Sequence, residues 1–304
     1  MIKFGVENVE NRDILKKYLA HNDKVLVYYV EATNMVSKAR ELHMLSNVAT
    51  AALGRTLIIT TIMADMLKEK GNKITVQVKG DGPLGQIVVC GDNDLNIKGY
   101  VNVPDVQLPL KENGKLDVGG AVGKGYINVV KDIGMKEPYV GNSKIVTGEI
   151  AEDFAYYFTI SEQTPCVVSL GVNIGIDNNV AKACGYVITP LPECEGSVID
   201  ILEMINTKIS SVTNLSIDLG NIDDVVKTIT GDNNVKIIEE KNIHYRCDCN
   251  EDRITKAILA LGKKDAIEAL ENNDGILELT CSFCNKSYRY NKENIEKIFE
   301  KKKE

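Results

Sequence analysis

The sequence predicts an α+β fold: an N-terminal core domain of sheet and helix, a helical linker, and a small C-terminal domain built on four cysteines. Three observations predict it. Strand-like alternation dominates the first two thirds of the chain with only a few helical stretches between, which argues against regular β-α alternation. Helical periodicity takes over after Thr189-Pro190-Leu191-Pro192. Two close cysteine pairs, Cys247-Asp248-Cys249 and Cys281-Ser282-Phe283-Cys284, lie near the end.

Taken in order, residues 24–31 read as a β-branched and aromatic strand, and 33–70 as helical, interrupted at Gly54. Residues 57–67 are apolar on most faces and predict a central core helix, too short and too threonine-rich for a membrane span. His21 and His43 read as surface or hydrogen-bonded core histidines rather than ligands. From Lys73 the period becomes alternating. Gly80-Asp81-Gly82-Pro83-Leu84-Gly85 matches G-x-G-x-x-G, but a strand follows it where a dinucleotide site needs a helix N-terminus. It therefore predicts a glycine-rich hairpin connection. Gly119-Gly120-Ala121-Val122-Gly123-Lys124-Gly125 lacks the first glycine and the Ser or Thr of a phosphate loop, so no ATP site is expected. Further strands are expected at 97–103, 126–130, 167–174 and 182–188, with a helix starting near Thr147.

The two prolines at 190 and 192 end the sheet domain. The expected domains are 1–188, 189–234 and 235–304. In the linker, Val198, Ile201, Leu202, Ile205, Ile209 and Val212, then Ile222, Val225, Val226 and Ile229, describe two amphipathic helices. The segment is too short for a core of its own, so these faces must lie against the first domain. Residues 235–246 lead into Cys247 as a strand or extended arm. A short helix ended by Gly262, a second helix, a hairpin carrying Cys281 and Cys284 in its turn, and a last helix capped by Asn291 complete the chain.

At 304 residues, 44% hydrophobic and 26% charged, the composition is that of an ordinary globular protein. A net charge of −7 and a cysteine domain with balanced charge argue against a nucleic-acid partner, whose phosphates call for excess Lys and Arg. Residues 1–10 contain no apolar core of signal-peptide length, and no run approaches the ~18 apolar residues of a membrane span. The expected location is cytoplasmic, where thiols are held reduced.

Two cysteine pairs on separate loops suit one tetrahedral Zn²⁺ bound by Cys247, Cys249, Cys281 and Cys284. The Cys-x-Cys spacing of the first pair is unusual for a zinc knuckle and hints at redox chemistry. Cys90, Cys166, Cys184 and Cys194 are scattered singly and read as buried structural thiols.

Thr50-Ala51-Ala52-Leu53-Gly54-Arg55-Thr56, Gly80 to Gly85, Ser161-Glu162-Gln163-Thr164-Pro165 and the cysteine motif together resemble the redox-regulated 33-kilodalton heat-shock chaperones, along essentially the whole chain. The resemblance implies an ATP-independent holdase rather than an enzyme, with unfolding proteins as its clients and a homodimer when oxidised. It implies that the reduced form binds one zinc and is dormant, and that the four cysteines are both ligands and switch. Residues 1–188 would then be the chaperone core and 189–234 a metastable linker. Because neighbours in sequence stay close once the module unfolds, oxidation is expected to give Cys247–Cys249 and Cys281–Cys284. The alternatives are a constitutive zinc-ribbon interaction module, which calls for a basic surface, and a thiol oxidoreductase, which calls for catalytic turnover.

Overall fold

The structure, a computed structural model, describes residues 12–300. Residues 1–10, read as lacking a signal-peptide core, lie outside the described residues, as do residues 11 and 301–304. The chain forms two compact units, Met1–Arg246 and Cys247–Glu304.

In the first unit, β1 (Ile14–Ala20) and β2 (Val25–Glu31) precede helices α1 (Thr33–His43) and α2 (Asn47–Asp65). Strands β3 (Lys73–Gly80), β4 (Gln86–Asp92) and β5 (Asn96–Val101) follow, then a short α3 (Val118–Val122), β6 (Gly125–Asp132) and β7 (Tyr139–Lys144). Helix α4 (Ala151–Ser161), β8 (Val167–Ile174) and β9 (Val180–Pro190) lead to the linker helices α5 (Gly196–Lys208), α6 (Val212–Leu219) and α7 (Ile222–Thr230). The chain then returns through β10 (Lys236–Asn242) and β11 (His244–Tyr245). One sheet has the order β10-β1-β2-β9-β8 and the other β11-β5-β4-β3-β6-β7.

Helix α2 packs against strands of both sheets, and every residue of it except Asn47 and Arg55 is buried. By length and composition alone it could cross a membrane, contrary to the reading that no segment could. Yet 89% of its apolar window is buried inside the protein, as in a core helix. Gly54 does not interrupt it. A Cβ there would sit 2.7 Å from Val172 and 2.9 Å from Val36, so the glycine permits close packing in mid-helix. The break falls earlier. Met44 takes a left-handed conformation (φ 50°), and Ser46 begins α2 by accepting the Ala49 amide at 3.3 Å.

The two glycine-rich segments are structural partners. Asp81, Gly82 and Leu84 donate their amides to the carbonyls of Lys124, Val122 and Ala121 at 2.8, 3.0 and 3.1 Å. A Cβ on Gly80 would lie 1.8 Å from the Val122 carbonyl oxygen. The first segment joins β3 to β4 as a hairpin, as expected.

The expected helix near Thr147 begins at Ala151 instead. Asp153, fully buried, accepts the amides of Val146 (2.7 Å), Thr147 (2.8 Å), Gly148 (3.3 Å) and Ile150 (3.0 Å), which holds 146–150 as a turn. His21 and His43 are hydrogen-bonded, to the Thr230 carbonyl at 2.8 Å and the Tyr245 hydroxyl at 3.2 Å.

The linker has three helices, not two, because the backbone is extended at Ile209 and Ser211 caps a new helix by accepting the Asn214 amide at 3.3 Å. Together they cover the outer face of the five-stranded sheet, where Val27, Tyr29, Cys184, Tyr186 and Ile188 form one core with Leu202, Val212, Val225, Val226 and Ile229. Three tyrosines each bind one helix. Tyr18 donates to Asp223 of α7 at 2.6 Å, Tyr29 to Ser216 of α6 at 3.0 Å, and Tyr186 to Asn206 of α5 at 2.5 Å. The α5 face departs from expectation. Leu202 is buried and Val198, Ile205 and Ile209 are half-buried, but Ile201 is 39% exposed because α5 leans on α7 and β8 instead of lying flat on the sheet.

Residues 235–246, expected to open the C-terminal domain, belong to the first unit. Strand β10 pairs antiparallel with β1, and β11 pairs parallel with β5. Lys241 and Lys17 clasp the buried Asp65 at the end of α2, at 2.7 and 2.5 Å, and Glu239 bridges both lysines at 3.0 and 2.5 Å.

In the second unit, α8 (Glu251–Leu261) and α9 (Lys263–Glu271) precede a hairpin of β12 (Ile276–Thr280) and β13 (Ser287–Asn291), and α10 (Lys292–Glu300) ends it. Its core is small: Ile258, Ala266, Leu270, Leu277 and Ile295 are its buried members.

Two predictions follow from the first unit. Asp153→Ala leaves four amides without an acceptor and is expected to cost about 3 kcal/mol or more of stability in urea unfolding; a loss below about 1 kcal/mol would mean water replaces the carboxylate. Burial raises the Asp13 carboxyl to about 6, although the amides of Asn34 and Met35 oppose the rise. The folded chain thus holds this proton more tightly than the unfolded one. The group's contribution is full below about pH 4 and is lost as the pH rises through 6. Asp13→Asn is expected to flatten that part of the stability profile.

Candidate metal centre

Cys247 and Cys249 precede α8, while Cys281 and Cys284 sit in the β12–β13 turn. Asn250 starts α8 by accepting the Arg253 amide at 2.9 Å, and Arg253 pairs with Asp248 at 2.7 Å, so the residue between the two cysteines is tied to the helix. The hairpin turn is closed by backbone bonds from Cys281 to Lys286 (3.0 Å) and from Asn285 to Cys281 (2.8 Å), with Asn285 left-handed at φ 53°.

These loops bring the four sulfurs within 4.8 Å of one another. Cys247 Sγ and Cys281 Sγ are 3.8 Å apart, and Cys249 Sγ and Cys284 Sγ 3.2 Å. Sulfurs bound tetrahedrally at ~2.3 Å from one ion stand about 3.8 Å apart, so the donor set fits a thiolate metal site. All four are half-buried. Cys90, Cys166, Cys184 and Cys194 lie outside the cluster.

Burial alone would raise the Cys249 thiol, but hydrogen bonds from the Tyr288 hydroxyl, at 3.3 Å, and from neighbouring thiols bring it down to about 7. Burial pushes Cys247 and Cys284 up. An ion bound in the cluster would draw off the protons that remain on the thiols. Tyr288 was not visible as a site residue in the sequence. Its hairpin position, opposite Leu279, could be read, but not that its hydroxyl reaches a sulfur. By contrast, burial lifts the Cys166 and Cys184 thiols to about 12, which keeps them protonated and slow to oxidise.

The family model described as Hsp33 protein matches residues 13–291. The chain belongs to the Hsp33 family. The 33 kDa chaperonin of Caldanaerobacter subterraneus subsp. tengcongensis is 43% identical over 287 residues, covering 94% of this chain and 97% of its own. That of Thermoanaerobacter sp. strain X514 is 42% identical over 288 residues, covering 94% and 98%. A crystal structure of the Thermotoga maritima 33 kDa chaperonin superposes with a TM-score of 0.88 at 34% identity, covering 96% of this chain and 99% of the other. Membership of the Hsp33 family makes this chain a chaperone, and its own structure supplies the mixed α and β core and the cysteine cluster able to hold a metal.

The site predicts one metal ion per chain in reduced protein, measured by elemental analysis. Serine at any of Cys247, Cys249, Cys281 or Cys284 is expected to weaken binding sharply, and serine at Cys90 or Cys166 to leave it unchanged. Acidification is expected to release the ion as protons compete for the thiolates. Metal retained in a chain lacking both Cys281 and Cys284 would overturn the assignment.

Proposed function

We propose that this protein is a redox-regulated, ATP-independent holdase: dormant when reduced and zinc-bound, active when oxidant and mild unfolding act together. The observation that carries the reading is the cluster of four thiols in a unit with so small a core. Bound Zn²⁺ would hold all four sulfurs as thiolates and cross-link the unit. Metal binding of about 10–16 kcal/mol in zinc-finger peptides is larger than such a core supplies. The ligands are Cys247, Cys249, Cys281 and Cys284. Residues 1–188 form the client-binding core, 189–234 its cover and 247–304 the switch, with 235–246 as the tether between cover and switch.

Peroxide oxidises one thiolate to a sulfenic acid and is reduced to hydroxide. A neighbouring thiol then attacks the sulfenic sulfur, forming a disulfide and releasing water. In the folded unit sulfurs of different pairs lie close, Cys247 to Cys281 at 3.8 Å and Cys249 to Cys284 at 3.2 Å, and the sequence-local products Cys247–Cys249 and Cys281–Cys284 form as the unit loosens. Disulfides cannot hold zinc, and the unit loses the ion its small core depends on. The chain runs from Cys247 back through β11 and β10 to α7, so unfolding that spreads along this tether frees the cover and exposes the apolar face of β2 and β9. A surface of that kind binds unfolding proteins. The clients are unfolding cytoplasmic proteins, the oxidised form is a homodimer, and neither enzymatic turnover, nucleic acid nor membrane is involved.

Zinc release, helicity and suppression of client aggregation, followed together under peroxide at two temperatures, test this. Activity is expected only when oxidation and warming coincide. Val226→Asp, which places a charge in the core under the cover, is expected to give activity without oxidant while zinc content stays normal. If that variant folds, keeps its zinc and remains inactive, the cover does not gate activity.

A further inference from the structure

The first unit carries a groove of about 480 Å³ along the free edge of β8. Residues 169–174 line it consecutively. A groove over a sheet face would meet alternate residues, so consecutive lining places it along the strand edge. β8 pairs with β9 alone and ends the five-stranded sheet.

The direction of its free backbone groups can be traced. The Ala183 carbonyl accepts from Ala32 at 2.8 Å and the Leu191 amide donates to Lys24 at 2.8 Å, so odd residues of β9 turn toward β2 and even ones toward β8. With Gly171 opposite Cys184 and Ser169 opposite Tyr186, the residues bonded to β9 are the odd ones of β8. Leu170 and Val172 therefore point their amides and carbonyls into the groove, and Val168 continues the same free edge just beyond it. Among the described residues, none pairs with them.

Natural edge strands are protected by charges, prolines or bulges. Val167–Ile174, VVSLGVNI, has no charge and no proline, and its one irregularity falls at the last two residues. The facing wall is the extended α5–α6 connection, and Lys115 Nζ bonds the Ser210 carbonyl at 3.3 Å. The charged residues on the lining are Lys115 and Arg55, the latter paired with Glu149 at 2.8 Å, and no carboxylate stands on the lining itself.

We propose that this edge binds an extended, uncharged or acidic segment of an unfolding client by strand addition, making the sheet six-stranded. The proposal rests on the holdase reading and says where its client docks. Main-chain hydrogen bonds are offered by every polypeptide, so such a site accepts many sequences. Departure of α5 and α6 from the outer face widens the groove on one side, linking docking to the opening of the cover.

The test uses full-length protein, oxidised and warmed, and a fluorescent octapeptide of alternating valine and threonine. A twin carries N-methyl groups on two adjacent central residues, which blocks both of its edges. The parent is expected to bind at least about tenfold more tightly than the twin, and to slow amide exchange at Val168, Leu170 and Val172. Val168→Pro removes one donor of the free edge, just beyond the groove, without touching the β9 ladder, and is expected to weaken binding of both peptide and client. Should that variant fail to fold, the twin and the exchange pattern still decide. Equal binding of parent and twin, or normal holding of a denatured client with no protection at β8, overturns the docking site and leaves the holdase reading intact. Protection of β8 that follows dimer formation and resists the peptide overturns it in favour of a second copy. No client holding at all removes the functional reading and this proposal with it.

Discussion

A helix that is apolar all round must be buried all round, and α2 imposes that constraint on the first unit. Its nineteen residues lie between two sheets, and the sheets meet it with different devices. Gly54 lets Val36 and Val172 approach the helix backbone from the five-stranded side. On the other side, Gly91 and Gly99 do the same for β4 and β5, since side chains there would collide with Ile97, Ala64 and Leu53. At the C-terminal end of the helix, Asp65 is buried among apolar groups at the cost of desolvation, and two lysines offset it. One of them, Lys241, comes from the strand that leads to the cysteine unit, so the end of the core helix and the tether share one ion cluster.

Much of this was legible in the sequence, and the losses have physical causes. The strands at 167–174 and 182–188 were found because β-branched residues run along them without breakers. β1 was missed: Ile-Leu-Lys-Lys-Tyr-Leu-Ala does not alternate, because both of its faces are covered, one by the interior and one by the linker. β7 was missed because Tyr-Val-Gly-Asn-Ser-Lys is an exposed edge strand with little apolar signal. The helix break was assigned to Gly54, the best local breaker, whereas tertiary packing keeps that glycine helical and a left-handed Met44 makes the turn. Local pattern also cannot say which sheet an arm will join, so 235–246 was assigned to the wrong unit.

The four-cysteine cluster was legible because metal chemistry demands both residue type and spacing, and the same demand is absent for its neighbours. Nothing in the sequence marks Tyr288 as a partner of Cys249, or Tyr18, Tyr29 and Tyr186 as anchors of the three linker helices. These hydroxyls add one polar anchor per helix to the apolar core beneath the cover. Each contributes a single bond, net worth ~1 kcal/mol, while α5 buries little beyond Leu202. Most of the buried apolar side chains of the cover belong to α6 and α7, so α5 is its least anchored helix.

β1 lies between β2, which follows it at once, and β10, whose residues come more than two hundred positions later. A chain emerging from the ribosome at about 5–20 residues per second therefore spends roughly 10–45 seconds with one edge of β1 unpaired. The five-stranded sheet is complete only when β10 arrives, by which point synthesis has nearly reached the first cysteine pair. Completion of the core and arrival of the switch are thus coupled in time by the order of the chain, before any oxidant acts on either.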